Sequence, residues 1–271
     1  MKSLITDRKK LSTLLEGNQQ LPAADRLYRD GSVFFIGGAL PLHQTLETMF
    51  TSFCTEATSL FYLSFGPRET VSQGLEMARQ IKKNFHVRLM ARIDYPAPAQ
   101  ISEHVYAAGV DLIDIPLTVF DPLRAFDHGF NNQGVHDALL SARSVFPSWS
   151  VCSTLLIGAE SPDSTISGID ALLNEGIVPL VTLSENAAGM ESGSIAAVFS
   201  HLASVWHGHN VPLKPFIPLI NSLTPLVPCE QTGLIRGLID RFQERRMMAA
   251  ADLRRHLRVK PAEDSLDSAG L

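Results

Sequence analysis

The strongest constraint in this chain is an order. Short apolar runs, rich in β-branched and aromatic residues, alternate six times with longer segments of helical period. The runs lie at 32–36, 60–65, 87–93, 110–117, 151–157 and 177–183; the first, Ser32-Val33-Phe34-Phe35-Ile36, is closed by Gly37-Gly38. Helical patterns follow at 42–56, 69–83, 99–108, 135–146, 163–175 and 194–206. In the second helix Val71, Leu75, Ala78 and Ile81 form one apolar stripe. Gly109 and Gly176 stand where helices end, a place that suits the left-handed cap. Strand, helix, strand in this succession gives a parallel sheet with helices outside it. Runs apolar on both faces fit a sheet covered on both sides.

Two architectures satisfy that order, a doubly wound open sheet and a (β/α) barrel, complete or partial. The repeat of roughly thirty residues per unit favours the barrel. So does Ile36-Gly37-Gly38-Ala39-Leu40-Pro41, which lacks the third glycine and the helix start of a dinucleotide fingerprint. We therefore expect an α/β fold, a partial (β/α) barrel of six or seven parallel strands over residues 31–210. A helical extension at 1–30 and a proline-rich segment with C-terminal helices at 211–271 flank it, and 211–220 admits an irregular seventh strand.

Composition narrows the function classes. With 271 residues, 45% of them hydrophobic, the chain can bury a sizeable core, and disorder of its bulk is excluded. A net charge of −5 argues against a generally basic nucleic-acid surface. Cys54, Cys152 and Cys229 form neither a disulfide framework nor a metal clip. There is no 18-residue apolar run to span a membrane, and Met1 to Lys10 is charged where a signal peptide is apolar. The expectation is a soluble cytoplasmic protein.

Several strand ends carry a resemblance. Ser153-Thr154-Leu155-Leu156-Ile157-Gly158-Ala159-Glu160 looks like the fifth strand and turn of radical S-adenosylmethionine enzymes, with Thr154 in place of the usual first glycine. Ala107-Ala108-Gly109-Val110-Asp111-Leu112-Ile113-Asp114 is similar to that family's helix-to-fourth-strand junction. Leu63-Ser64-Phe65-Gly66-Pro67-Arg68-Glu69 and Gly176-Ile177-Val178-Pro179-Leu180 resemble further strand ends, and the biotin-synthase-like branch is the nearest. The C-x-x-x-C-x-x-C motif that ligates the four-iron, four-sulfur cluster is absent: Gly37 to His43 has no thiol, and the Cys54 register keeps only Cys54. The resemblance implies a cluster-less relative, an accessory protein or non-radical enzyme, which binds S-adenosylmethionine or another small polar ligand, with no iron–sulfur cluster on local cysteines.

In a (β/α) barrel chemistry sits at the C-terminal ends of the strands. His43, Arg68, Glu69, Arg92, Asp94, Asp114, Asp121, Glu160, Glu185 and Asn186 lie at or just beyond the runs. We select Asp94, Asp114 and Glu160 as candidate catalytic residues, and Arg92, Gly158, Glu160, Glu185 and Asn186 as candidate ligand-binding residues. Arg92 and Asp94 alternate along one strand and so share a face. Asp114 stands in an apolar strand, where a carboxylate needs a partner, and Arg92 is the simplest one. No metal site is selected; His207-Gly208-His209 and His136-Asp137 read as helix-end residues.

A metal-dependent barrel lyase using Asp94, Glu160 and His43 is the alternative, and no strand-end lysine supports a Schiff base. A third reading is a non-catalytic interaction protein. Residues 236–258 carry seven Arg on an amphipathic pattern with Leu234, Leu238 and Phe242, a surface for a protein partner. Residues 120–130, with three Phe, read as a loop over the strand ends.

Overall fold

The computed structural model describes residues 4–17, 23–55 and 57–228. The basic amphipathic segment at 236–258 and Cys229 lie outside the described residues. Nine strands are described: β1 (Leu4–Thr6), β2 (Leu27–Asp30), β3 (Val33–Gly37), β4 (Leu60–Ser64), β5 (Arg88–Arg92), β6 (Leu112–Asp114), β7 (Val151–Ile157), β8 (Val178–Leu183) and β9 (Leu226–Pro228). The helices are α1 (Arg8–Glu16), α2 (Leu42–Thr55), α3 (Val71–Asn84), α4 (Ala99–Ala107), α5 (Pro122–Asp127), α6 (Asn132–Val145), α7 (Pro162–Asn174), α8 (Ser192–Gly208) and α9 (Ile217–Leu223).

Strands β2 to β8 form one sheet in chain order. β2 meets β3 antiparallel, and β3 to β8 are six parallel neighbours. The sheet curls into a partial α/β barrel, as the repeat predicts. It is closed by no strand pair between β8 and β2 among the described residues. β1 and β9 pair with each other outside it, against α8.

Helices α3, α6 and α7 pack on the outer face. That face is apolar: Phe34, Phe53, Phe61 and Phe85 interlock edge-on and tilted, with Phe61 and Phe85 ring centroids 5.2 Å apart. Alternation along each strand turns the next residues inward. There Tyr28 stacks on Phe35 at 4.7 Å, and Phe35 meets Tyr62 at 5.6 Å.

Three expectations need correction. Residues 211–220 form no strand; α9 starts at Ile217 instead. Pro212, Pro215 and Pro218 remove the donors a ladder needs, and Pro218 fits the first helical turn, where its missing N–H costs nothing. The run at 110–117 yields only the three residues of β6; beyond it Ile115 still donates to the Cys152 carbonyl at 3.1 Å, and Thr118, at φ 66°, forms an isolated parallel bridge to Leu155. The segment after it is not one open loop, since Asp121 caps α5 and Asn131 caps α6. No helix among the described residues is long and apolar enough to cross a membrane.

Gly37 ends β3 where residues 23–26 cross it, and a Cβ there would lie 2.1 Å from the Ala24 carbonyl oxygen. Gly37→Ala should therefore lose about 2 kcal/mol or more, because backbone must shift. Gly31→Ala, with nothing within 4 Å of the new Cβ, should lose only about 1 kcal/mol for its positive φ. Urea midpoints test this; equal losses would contradict the close crossing at Gly37.

Candidate functional site

The register places Gly37, Ser64, Arg92 and Asp114 side by side at one level of the sheet. Period two turns all four toward the lumen, together with Tyr62 on β4 and Thr154 on β7. Most of the level is thus polar.

Asp114 is wholly buried, and three donors converge on its Oδ2. Tyr62 donates from Oη at 2.8 Å, Thr154 from Oγ1 at 2.8 Å and Arg92 from Nη1 at 3.3 Å. Arg92 also donates from Nε to Asp94 Oδ1 at 2.6 Å. Asp94 sits at the mouth, with its side chain 43% exposed, so Arg92 spans from a dry carboxylate to a wet one. Burial pushes the Asp114 carboxyl up, and Arg92, Tyr62 and Thr154 pull it back. Burial and the Asp114 charge both hold the Tyr62 phenol well above its usual value. The group can hold a proton on Asp114 where an exposed carboxyl would release it.

The inner face also carries oxygens without partners. Asp114 Oδ1, Ser64 Oγ and Thr182 Oγ1 are buried and have no protein hydrogen-bond partner among the described residues. Each orphaned polar atom costs about 1–3 kcal/mol. Tyr62, Arg92, Thr154, Leu180 and Thr182 face α9 across a cavity of about 10 Å³, room for one water. Leu219, Ile220, Leu223 and Thr224 close its other side. The Lys10 ammonium donates to the Asn221 carbonyl at 2.6 Å and the Ser222 hydroxyl to Asp30 at 2.5 Å, which hold α9 in place. At the mouth the Arg68 guanidinium lies over the Tyr95 ring, 5.5 Å from its centre.

The structure brings together Arg92, Asp94 and Asp114 from the residues the sequence singles out. The others lie apart. Glu160 Oε2 accepts the backbone N–H of Phe120 at 3.0 Å and of Asp121 at 2.8 Å, and the Ser164 hydroxyl at 2.7 Å. It latches the turn after β6 to the start of α7. Gly158 has φ 96°, and a Cβ there would meet Ser184 Oγ at 2.4 Å, so it serves a close approach. Glu185 and Asn186 are exposed on the 3₁₀ turn that follows β8. His43 is exposed at the start of α2. No three His, Cys, Asp or Glu side chains gather as a metal site among the described residues, so Asp94, Glu160 and His43 form no shared site. The sequence reading missed Tyr62, Ser64 and Thr182, and read Thr154 only as a lost glycine. Within one strand Tyr62 and Ser64 share a parity, but only the register between strands places them with Arg92 and Asp114.

No family model matches the chain, and no curated protein matches it. Among solved structures it is similar to DHPS from Yersinia pestis with a pterine–sulfa conjugate, at 15% identity over 68% of this chain and 74% of that one, TM-score 0.39. It is also similar to 7,8-dihydropteroate synthase from Vibrio fischeri ES114, at 12% identity over 67% of this chain and 89% of that one, TM-score 0.32. Neither is a radical S-adenosylmethionine enzyme, and no family model or curated sequence supports that resemblance, which is overturned. The residues that suggested it have local causes: Gly109 and Gly158 adopt positive φ at element ends, and Glu160 latches a turn. The expectation of S-adenosylmethionine rested on the resemblance alone and loses its basis.

Arg92→Met leaves the Asp114 carboxylate buried without its cation and should cost about 3–5 kcal/mol. Arg92→Met with Asp114→Asn should cost clearly less than the two single changes added, as measured by a denaturant double-mutant cycle; additivity would show that the pair is not coupled. The pH dependence has a definite sign. A raised folded-state pKa makes the Asp114 contribution full below about pH 4, the unfolded value, and lost as pH rises through the folded value. The stability advantage of wild type over Asp114→Asn should accordingly shrink from pH 4 upward.

Proposed function

We propose that this protein is a (β/α)-barrel enzyme that binds a small polar molecule in the lumen, with Asp114 exchanging a proton with it. The observation that carries the reading is the set of orphaned oxygens, Ser64 Oγ, Asp114 Oδ1 and Thr182 Oγ1, on one inner face. A barrel interior built for stability alone is filled by branched aliphatic side chains. Here three polar atoms are desolvated and left unsatisfied beside a carboxyl whose proton affinity is raised, an arrangement typical of functional sites.

The chemistry of the level defines the ligand class. Arg92 is already engaged by Asp94 and Asp114, so the level offers no unpaired positive charge for an anion. Asp114 Oδ1 accepts, and the two hydroxyls accept or donate. The ligand is therefore uncharged or cationic and rich in N–H or O–H donors, such as a polyol or an aminopyrimidine. A space of about 10 Å³ holds a single water, so a ligand enters only as α9 withdraws Leu219 and Ile220. Asp94, Arg68 and Tyr95 at the mouth would meet it first.

Thr182→Val separates this reading from a purely structural one. The change keeps shape and removes one orphaned hydroxyl, so the free protein should gain about 1 kcal/mol. The same variant should lose about tenfold in affinity for whichever probe stabilises the wild type. The probes are a panel of uncharged polyols and aminopyrimidines at millimolar concentration, read by thermal unfolding. A panel that leaves the wild-type midpoint unmoved, or shifts both proteins alike, would overturn the proposal.

A further inference from the structure

A second site lies at the opposite end of the barrel, where β7 begins. Arg143, Pro147, Ser148, Trp149, Val151 and Gly176 line a cleft of about 200 Å³ there. That is below the usual range for drug-sized ligands, of about 300–1,000 Å³.

Two features set this cleft apart from ordinary surface relief. Trp149 sits at φ 63°, in the left-handed region. It occupies the third position of a turn closed by the Ser150 N–H on the Pro147 carbonyl at 3.1 Å, a position where glycine is the usual residue. A bulky side chain there costs on the order of 1–2 kcal/mol. The indole ring is half-buried, packed on one side against the core and bordering the cleft on the other. Arg143, in the last turn of α6, is the second feature. The residue is exposed, its guanidinium lies beside Gly176, and it has no hydrogen-bond or ion-pair partner among the described residues. The neighbouring acid, Glu175, faces His136 instead, with Oε1 and Nε2 2.7 Å apart.

We propose that this cleft binds a small anion carried on a flat apolar body. Arg143 grips the phosphate or carboxylate with its fork of N–H donors, and the Trp149 ring stacks on the body. The Ser148 hydroxyl is a third contact at the rim. This site is independent of the lumen, which lies on the inner face and whose Arg92 is paired with Asp94 and Asp114.

Trp149 reports on its own site. The only other tryptophan, Trp206, is fully buried in α8 and is shielded from a cleft ligand. Titration of the full chain with phenyl phosphate should change the tryptophan emission saturably. Arg143→Gln should weaken binding about tenfold or more, and Trp149→Phe should abolish the change. Inorganic phosphate, which lacks the ring, should compete more weakly than phenyl phosphate itself. No saturable change in the wild type, equal affinity in Arg143→Gln, or inorganic phosphate binding as tightly as phenyl phosphate would each overturn the proposal. Thr182→Val should leave this titration unaltered, so the outcome here is independent of the lumen reading.

Discussion

The Asp114 carboxyl is the group on which the interior of this barrel depends. A buried carboxylate is costly, and the cost is offset in part by two hydroxyl donors and a guanidinium brought in from three other strands. Tyr62 comes from β4, Arg92 from β5 and Thr154 from β7, so one oxygen atom ties together most of the width of the sheet. A slip of one residue in any of these strands would turn its donor outward and strand a charge. The polar level thus fixes register where apolar packing alone would tolerate alternatives.

The same level sets what the lumen can do. Asp114 Oδ1 and the Ser64 and Thr182 hydroxyls have no protein partner, so the inner face keeps hydrogen-bonding capacity for a water or a ligand. Helix α9 closes the space over them, where no strand stands among the described residues. An incomplete barrel with a short helix in the gap has a built-in place where access can change, because seven residues are easier to move than a strand hydrogen-bonded on both edges.

Glu160 and Gly158 show why strand-end motifs mislead. Any βα unit needs a residue that turns the chain at the strand end and a group that satisfies the first N–H donors beyond it. Here Gly158 makes room for Ser184 at the end of β7, and Glu160 binds the N–H groups of Phe120 and Asp121 in the neighbouring turn after β6. The likeness to another barrel family arose from these shared local demands. It carried no information about the chemistry at the mouth.

The sequence by itself determined the order of the elements, because periodicity and capping are local. Five of the six helices begin and end close to where their stripes and glycines indicated, and the parallel sheet follows from the alternation. The Arg92–Asp114 pairing was also legible, since a carboxylate in an apolar strand requires a cation nearby. Only the tertiary structure decided which partners Asp114 has. Tyr62 and Thr154 read as core and as a missing glycine until register placed them within 2.8 Å of it. The helix in place of a seventh strand, the orphaned oxygens and the Arg143–Trp149 cleft were likewise settled by packing. Each depends on which residues of distant segments face the same space, and side-chain parity in one strand says nothing of that until the neighbouring strands are in place.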